Sequence, residues 1–501
     1  LLNFVADILP SVKSACQMKR KKLFYFYTLL LSALFLQTCR KDAPVVDIPG
    51  SGYPDKIGQI MLTRCAVSGC HNAQSKDATT GLELTSWNTM FLGDRSGNSV
   101  TVPFVHDFST MFLFTNTYPD LGVSVPPIMP LNGAALTHDE MLLLRNWIDQ
   151  GAPDRNGFVK FSDNSSRKKF YVVNQGCDVV AVFDETSLLP MRYVHIGISP
   201  KVDSPHDIHF SPDGQYWYVS FLGYPYLQRY RSSDDSYAGQ VYVGYDSYNT
   251  FVITNDSKKA FCVGYLNGQI STVDLTNMRL IDTARGFGVG SFHGSMLNPA
   301  NTALYVTAVA NSFLVKMDPS DFSGFTYIKL YSGAAPGTAL NPHDIIFSPD
   351  GTKYFVTCQA SNEVRVMDAA TDTLIKIIPV GITPQDMSTS KSKNLLFVTC
   401  MEDVSTFPGK HGSVYAIDMN TFAATPIDVG YQPHGISVDD EKGLVYVANR
   451  NVNPNGPAPH HTTDCGGRNG YVTMIDLNTL LILPFKKVEL VSDPYSIAIR
   501  P

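Results

Sequence analysis

Cysteine is scarce in this chain, with nine in 501 residues, which excludes the densely cross-linked scaffold of a small secreted module. Charge of one sign is scarce as well. A net charge of −6 leaves no basic field to hold a nucleic acid, so none is expected as a partner. The apolar run from Leu23 to Leu36 falls short of the roughly 20 residues that span a bilayer comfortably. No Ser-His-Asp order, phosphate loop or dinucleotide fingerprint stands out, and the Gly-rich stretch from Gly286 to Gly290 falls between repeats. What remains is 44% hydrophobic residues, enough to bury two ordinary cores in a multidomain protein.

The N-terminus carries an address. Met18-Lys-Arg-Lys-Lys22 is a charged region, and Leu23 to Leu36 is the apolar stretch of an export signal. It ends in Leu36-Gln37-Thr38-Cys39, which resembles the bacterial lipobox and so implies diacylation of Cys39 and a membrane reached through a lipid anchor. Residues 1–17 precede a better start at Met18 and are expected to be an upstream translation artefact, so that residues 1–38 form the export segment and 39–52 a linker. The competing reading is a plain transmembrane anchor. Either one places the remainder outside the cytoplasm, in the periplasm or at the outer membrane of a bacterium.

Cys65-Ala-Val-Ser-Gly-Cys70-His71 is the most informative stretch. Two thiols followed at once by an imidazole are what covalent attachment of a c-type haem uses: the thiols form thioethers to the macrocycle and the adjacent histidine ligates the iron. The spacer holds four residues where two are usual, and a zinc site or a disulfide draws on the same residue types. The surrounding pattern is helical. Asp55 to Arg64 runs straight into the motif, and Thr137-His-Asp-Glu140 is a capping box that opens a helix through Gln150. Leu143, Leu144, Trp147 and Ile148 give that helix an apolar stripe, and Gly151 followed by Pro153 stops it. In between, Val125-Pro-Pro-Ile-Met129-Pro130 places a methionine in a Pro-stiffened extended segment.

Over residues 53–154 this arrangement resembles class I cytochrome c domains: a haem motif after the first helix, a methionine in a Pro-rich loop, and a last helix crossing the first. The resemblance implies a small all-α domain with one covalent haem c, bound through Cys65 and Cys70, with His71 as the proximal ligand of the iron and Met129 as the distal one. His106 is the rival distal ligand. A Met/His pair raises the reduction potential, which suits an electron carrier.

Beyond residue 168 the sequence repeats with a period of about 45 residues. Pro205-His-Asp-Ile-His-Phe-Ser-Pro-Asp-Gly214 aligns with Pro342-His-Asp-Ile-Ile-Phe-Ser-Pro-Asp-Gly351, and weaker copies begin at Asn249, His293, Gln385, His434 and Tyr495. Each complete copy continues with a turn, an alternating strand such as Tyr354 to Thr357, and a third strand that ends in aspartate (Asp274, Asp318, Asp368, Asp418, Asp476). Short strands at this spacing predict an all-β propeller. The first repeat, from Phe170, lacks its opening strand and the last segment, from Asp493, is only an opening strand; joined, they make one blade and bring the total to seven. Residues 168–501 resemble the YVTN-type bacterial propellers and, more distantly, those of nitrous-oxide reductase and the haem-containing nitrite reductase.

Equivalent repeat positions form a ring, so His206, Asn249, His293, His343, Gln385, His434 and Tyr495 are expected to encircle the channel mouth. Two enlarged loops, one with His411 and one with His460, His461 and Cys465, are expected on the same face. Imidazole suits copper, zinc, iron and nickel, and the resemblance to nitrous-oxide reductase implies copper, although that family has more histidines and a cupredoxin domain not visible here. The other reading has these side chains hydrogen-bonding neighbouring blades. Asp207, Asp344 and Asp386, beside the ring, are candidates to orient its histidines. Cys262, Cys358 and Cys400 are expected to be buried and free.

Together these readings describe a lipid-anchored, extracytoplasmic monohaem cytochrome joined through a linker at 155–167 to a seven-bladed propeller, moving electrons between a redox partner protein or small-molecule substrate and a site on the propeller. The alternative is a ligand- or protein-binding propeller whose haem domain is a simple electron carrier.

Overall fold

Seven runs of short strands, each too brief to bury a core alone, stack here as seven four-stranded antiparallel sheets. The structure is a computed structural model, and it describes residues 47–309, 311–330, 340–457 and 469–501. The export segment with Cys39, and the loop residues His460, His461 and Cys465, lie outside the described residues. Among those described, no helix is long and apolar enough to cross a membrane.

Each sheet is one blade of a seven-bladed propeller. Its inner strands are Pro205–Phe210, Tyr248–Ile253, Phe292–Leu297, Pro342–Phe347, Pro384–Ser390, Pro433–Asp439 and Pro494–Ile499. The last of these pairs with Lys169–Asn174, Phe170 opposite Ile499 and Val172 opposite Ile497, and so closes the ring as the repeat count predicted. The second strands are not half-buried alternating strands. Leu444–Asn449 is buried at all six positions and Lys353–Cys358 at five, because a neighbouring blade covers each face. Exposure is greatest on outer strands such as Arg279–Ala284.

The recurrent residues have local jobs. Each aspartate that ends a third strand accepts backbone N–H groups from the turn after it: Asp368 from Ala370 and Thr371, Asp418 from Asn420 and Thr421, Asp476 from Asn478 and Thr479. These are Asx turns, which offer the backbone a ready partner at the hairpin. Neighbouring blades are joined by a hydroxyl near the end of the second strand, which donates to the carbonyl of the next blade's ring residue: Ser220 to Asn249 at 2.8 Å, Thr307 to His343 at 2.9 Å, Thr357 to Gln385 at 2.9 Å and Thr399 to His434 at 2.7 Å. Where the second strand lacks that hydroxyl, Thr250 of the inner strand donates to the His293 carbonyl instead.

The segment before the propeller holds helices α1 (Asp55–Ile60), α2 (Trp87–Met90), α3 (Thr110–Thr115) and α4 (His138–Asp149). The capping box of α4 forms, Thr137 N–H donating to Glu140 Oε2 at 2.7 Å and Glu140 N–H to Thr137 Oγ1 at 3.3 Å. Tyr53 packs edge-on against Trp147, with ring centroids 6.3 Å apart, so the first and last helices share one core.

This segment does not stand apart from the propeller. It seats on the outer strands of the first and last blades: Ser99 Oγ donates to the Pro190 carbonyl at 2.7 Å, Glu489 N–H donates to Asn98 Oδ1 at 2.8 Å, and Phe108 packs on Tyr193 at 4.7 Å. Residues 155–167 are held as well, since Arg155 N–H donates to the Gly52 carbonyl at 2.9 Å and Phe161 packs on Phe91 at 6.2 Å. Parts of the outer edges of two blades are thereby covered at the seam of the ring.

Candidate functional site

The predicted haem motif begins at a helical irregularity. Helix α1 continues as one wider turn, Met61–Cys65, closed by Ala66 N–H donating to the Met61 carbonyl at 2.8 Å; such π turns recur at functional positions. Beyond it Gly69, at φ +84°, takes the left-handed conformation that a side chain would resist. The loop then folds back, His71 N–H donating to the Cys65 carbonyl at 3.1 Å. Cys65 and Cys70 are free, half-buried thiols. Burial pushes the Cys65 thiol up to about 12, with Arg64 opposing and the nearby Cys70 and Glu140 adding to the effect. Burial lowers the pKa of His71 against a hydrogen bond to the Leu82 backbone, and its Nδ1 is buried without a partner.

Met129 lies half-buried in its loop, anchored by its own N–H to the Phe114 carbonyl at 2.7 Å. Arg64, next to Cys65, donates to the carbonyls of Ala134 and Ala135 at 3.0 and 2.8 Å, tying the loop that carries Met129 to the turn that delivers Cys65. His106 is differently placed. Its Nδ1 meets Asp149 Oδ1 at 2.7 Å and its Nε2 meets Asp107 Oδ1 at 2.8 Å, so both ring nitrogens are engaged by carboxylates. The donor set is of the kinds a covalent haem uses: two free thiols, a histidine whose Nδ1 is buried without a partner, and a thioether on a loop tied to the same turn.

The ring residues of the propeller are all buried. Five of them form a packed plug, not an open rim. Tyr495 lies 4.3 Å from His206 and 3.7 Å from His434 between ring centroids, and His293 lies 3.8 Å from His343. Circuit contacts of 5.5 Å (His206 to His293) and 5.7 Å (His343 to His434) close it. Asn249 and Gln385 take other partners, the first donating to the Phe292 carbonyl at 3.3 Å and the second accepting from Gln359 at 3.0 Å. Desolvation lowers the pKa of all four imidazoles, His293 to about 4. Nδ1 of His293, His343 and His434 has no hydrogen-bond partner. Arg450, in a bidentate pair with Asp493 at 2.6 and 2.9 Å, lies 4.6 Å from the Tyr495 ring.

Next along the inner strands come the three aspartates, and they differ. Asp207 and Asp344 each accept the backbone N–H of the following blade's inner strand, from Phe251 at 3.4 Å and from Met387 at 2.9 Å. Asp207 pairs with His209 at 2.9 Å, a residue outside the predicted ring, rather than with a ring histidine. Asp386 accepts no such backbone bond. Its oxygens face Nδ1 of His434 at 3.4 Å and Nδ1 of His343 at 4.0 Å. Desolvation raises the pKa of Asp344 and Asp386, and a neighbouring carboxylate adds to it in each case. All three aspartates line a cavity of about 160 Å³ that starts at the plug.

Other predicted residues take separate places. His411 is held by Glu402 Oε2 at 2.6 Å and packs on Tyr431. Cys262, Cys358 and Cys400 are fully buried and free, while Cys177 is disulfide-bonded. Among the described residues, no three or more His, Cys, Asp or Glu side chains are grouped so as to hold a metal ion. Sequence reasoning missed His209 and Arg450, neither of which repeats from blade to blade. The Pro-His-Asp-Ile-His run was the one available signal for His209.

No family model matches the chain, and no curated protein does. Among solved structures, a putative 6-phosphogluconolactonase from Bacteroides fragilis is similar at 14% identity and TM-score 0.51, over 67% of this chain and 98% of that one. A functionally unknown protein from Desulfotomaculum acetoxidans is similar at 14% identity and TM-score 0.49, over 66% of this chain and 98% of that one. Kuenenia stuttgartiensis hydrazine synthase is similar at 16% identity and TM-score 0.45, over 56% of this chain and 80% of that one. At this identity the first of these likenesses speaks for the propeller fold alone.

Proposed function

We propose that the chain is an extracytoplasmic, lipid-anchored c-type cytochrome fused to a propeller, moving electrons between a redox partner protein or small-molecule substrate and a site on the propeller. Cys65 and Cys70 would hold the haem, with His71 and Met129 as its axial ligands. The observation that carries the reading is the buried, unmatched Nδ1 of His71 beside two free thiols, since an orphaned buried nitrogen is costly unless something meets it. The group supplies one-electron chemistry when bound. The chain's own part is positional: the backbone bond from His71 to the Cys65 carbonyl folds the loop back on itself, Arg64 ties down the methionine loop, and the Tyr53–Trp147 core holds the two helices together.

The test is expression with export and a haem-attachment system. The reading expects a Soret band that stays with the protein after acid–acetone extraction, lost in the Cys65→Ser/Cys70→Ser double variant. Met129→Leu should keep the covalent band and lower the reduction potential. A folded, exported protein with no Soret band overturns the reading. The alternative, a ligand-binding propeller beside a simple electron carrier, is favoured by the cavity below the plug.

A further inference from the structure

The inner strands build a compartment with an uneven distribution of partners. On one side is the five-ring plug, backed by the Arg450–Asp493 pair. On the other is the cavity of about 160 Å³, into which Asp207, Asp344 and Asp386 bring three carboxylates and Ile345, Met387 and Ile436 an apolar wall. An engineered apolar cavity of about 150 Å³ accommodates benzene, so this one has room for roughly six heavy atoms. Two of the carboxylates serve the fold by accepting the next blade's backbone N–H, and the third does not. Asp386 instead faces the Nδ1 atoms of His343 and His434, which are 4% and 1% exposed and have no hydrogen-bond partner. His293, 8% exposed, lines the cavity and also has an unpartnered Nδ1. Buried polar atoms of this kind are normally matched; here His209 pairs with Asp207, whereas Asp386 is met only by Arg450 and His209 acting through their charge and by the two imidazole nitrogens it faces.

We infer that the central cavity of the propeller binds a small organic cation, a primary amine in its ammonium form with a short apolar tail. An ammonium group brings three donors and no acceptor, which suits the carboxyl oxygens and the His293 Nδ1 that line the cavity. The tail lies on the isoleucine and methionine wall. A bare metal ion needs its ligands drawn around one point, and the described side chains are not so grouped. The inference does not rest on the haem reading, because none of these residues belongs to the helical segment.

Calorimetric titration of the full chain with n-butylammonium, 1-butanol, butyrate and Zn²⁺ tests it. The expected result is one saturable n-butylammonium site per chain, no comparable site for 1-butanol or butyrate, and at least a tenfold loss of amine affinity in Asp386→Asn. Ile346 also lines the cavity, and Ile346→Phe, which narrows it and leaves every charge in place, should weaken the amine likewise. No amine binding, equal binding of 1-butanol, or a folded Asp386→Asn that binds as wild type overturns the inference. So does tight Zn²⁺ binding that excludes the amine, which would make the site a metal centre. If Asp386→Asn fails to fold, the wild-type selectivity and Ile346→Phe decide.

Discussion

Histidine is handled in opposite ways at His106 of the helical segment and in the ring of the propeller. In the helical segment, burial opposes charge on His106, but the carboxylates of Asp107 and Asp149 outweigh it and raise its pKa. In the propeller the ring histidines lie buried among one another, desolvation dominates, and their pKa values fall. The difference comes from how each site is assembled. His106 takes its partners from its own neighbour and from the end of a nearby helix. The ring is formed by strands from separate blades that all reach the axis at the same position, so like side chains meet like.

The largest way to break the comparison is to remove the closing strand. A chain ending at Ser492 should lose the cooperative melting of the propeller, read by circular dichroism, and aggregate on size-exclusion chromatography, because Lys169–Asn174 loses its ladder partner. Retained cooperative melting would mean that blade stacking alone holds the ring.

Acid should act next most strongly, and on the propeller. Each ring histidine has a folded pKa below its unfolded value near 6.5, so the unfolded chain binds the extra proton and stability falls as pH drops below about 6.5. For His293, whose folded value is about 4, the loss is about 1.4 kcal/mol per pH unit until that value is reached. Denaturant melts of wild type and His293→Gln between pH 7 and 4.5 should show a shallower slope in the variant.

The smallest effect belongs to His106 and has the opposite sign. With a folded pKa raised above the unfolded one, His106 stabilises fully below about pH 6.5 and loses that contribution as pH rises through its folded pKa. His106→Gln should therefore cost more at pH 6 than at pH 9, by about 1 kcal/mol or less given its partly exposed partners. Equal costs at both pH values would assign His106 a packing role only.

Legibility followed the same division. The blade count and its closure could be read because a repeat states the same instruction seven times, and Asp368 or Asp476 at the end of a strand marks a turn wherever it occurs. The α4 capping box was readable because its two hydrogen bonds lie within four residues. Packing across the ring was not. Nothing near Tyr495 says that its ring fills the space between His206 and His434, or that Asp386, unlike Asp207 and Asp344, has no backbone amide to accept. The seat of the helical segment on the first and last blades depends on Asn98, Ser99 and Phe108, which look like ordinary loop residues until the outer strands are placed beside them.

The closing strand also sets an order of events. Pro494–Ile499 leaves the ribosome after every other strand of the propeller, yet it is the partner of the blade made first. Until it arrives, Lys169–Asn174, a run whose six residues are all buried in the finished ring, has one ladder edge open to any strand it meets. The ring is therefore completed only after its synthesis, and the interval before closure is when the protein is most exposed to pairing with the wrong chain.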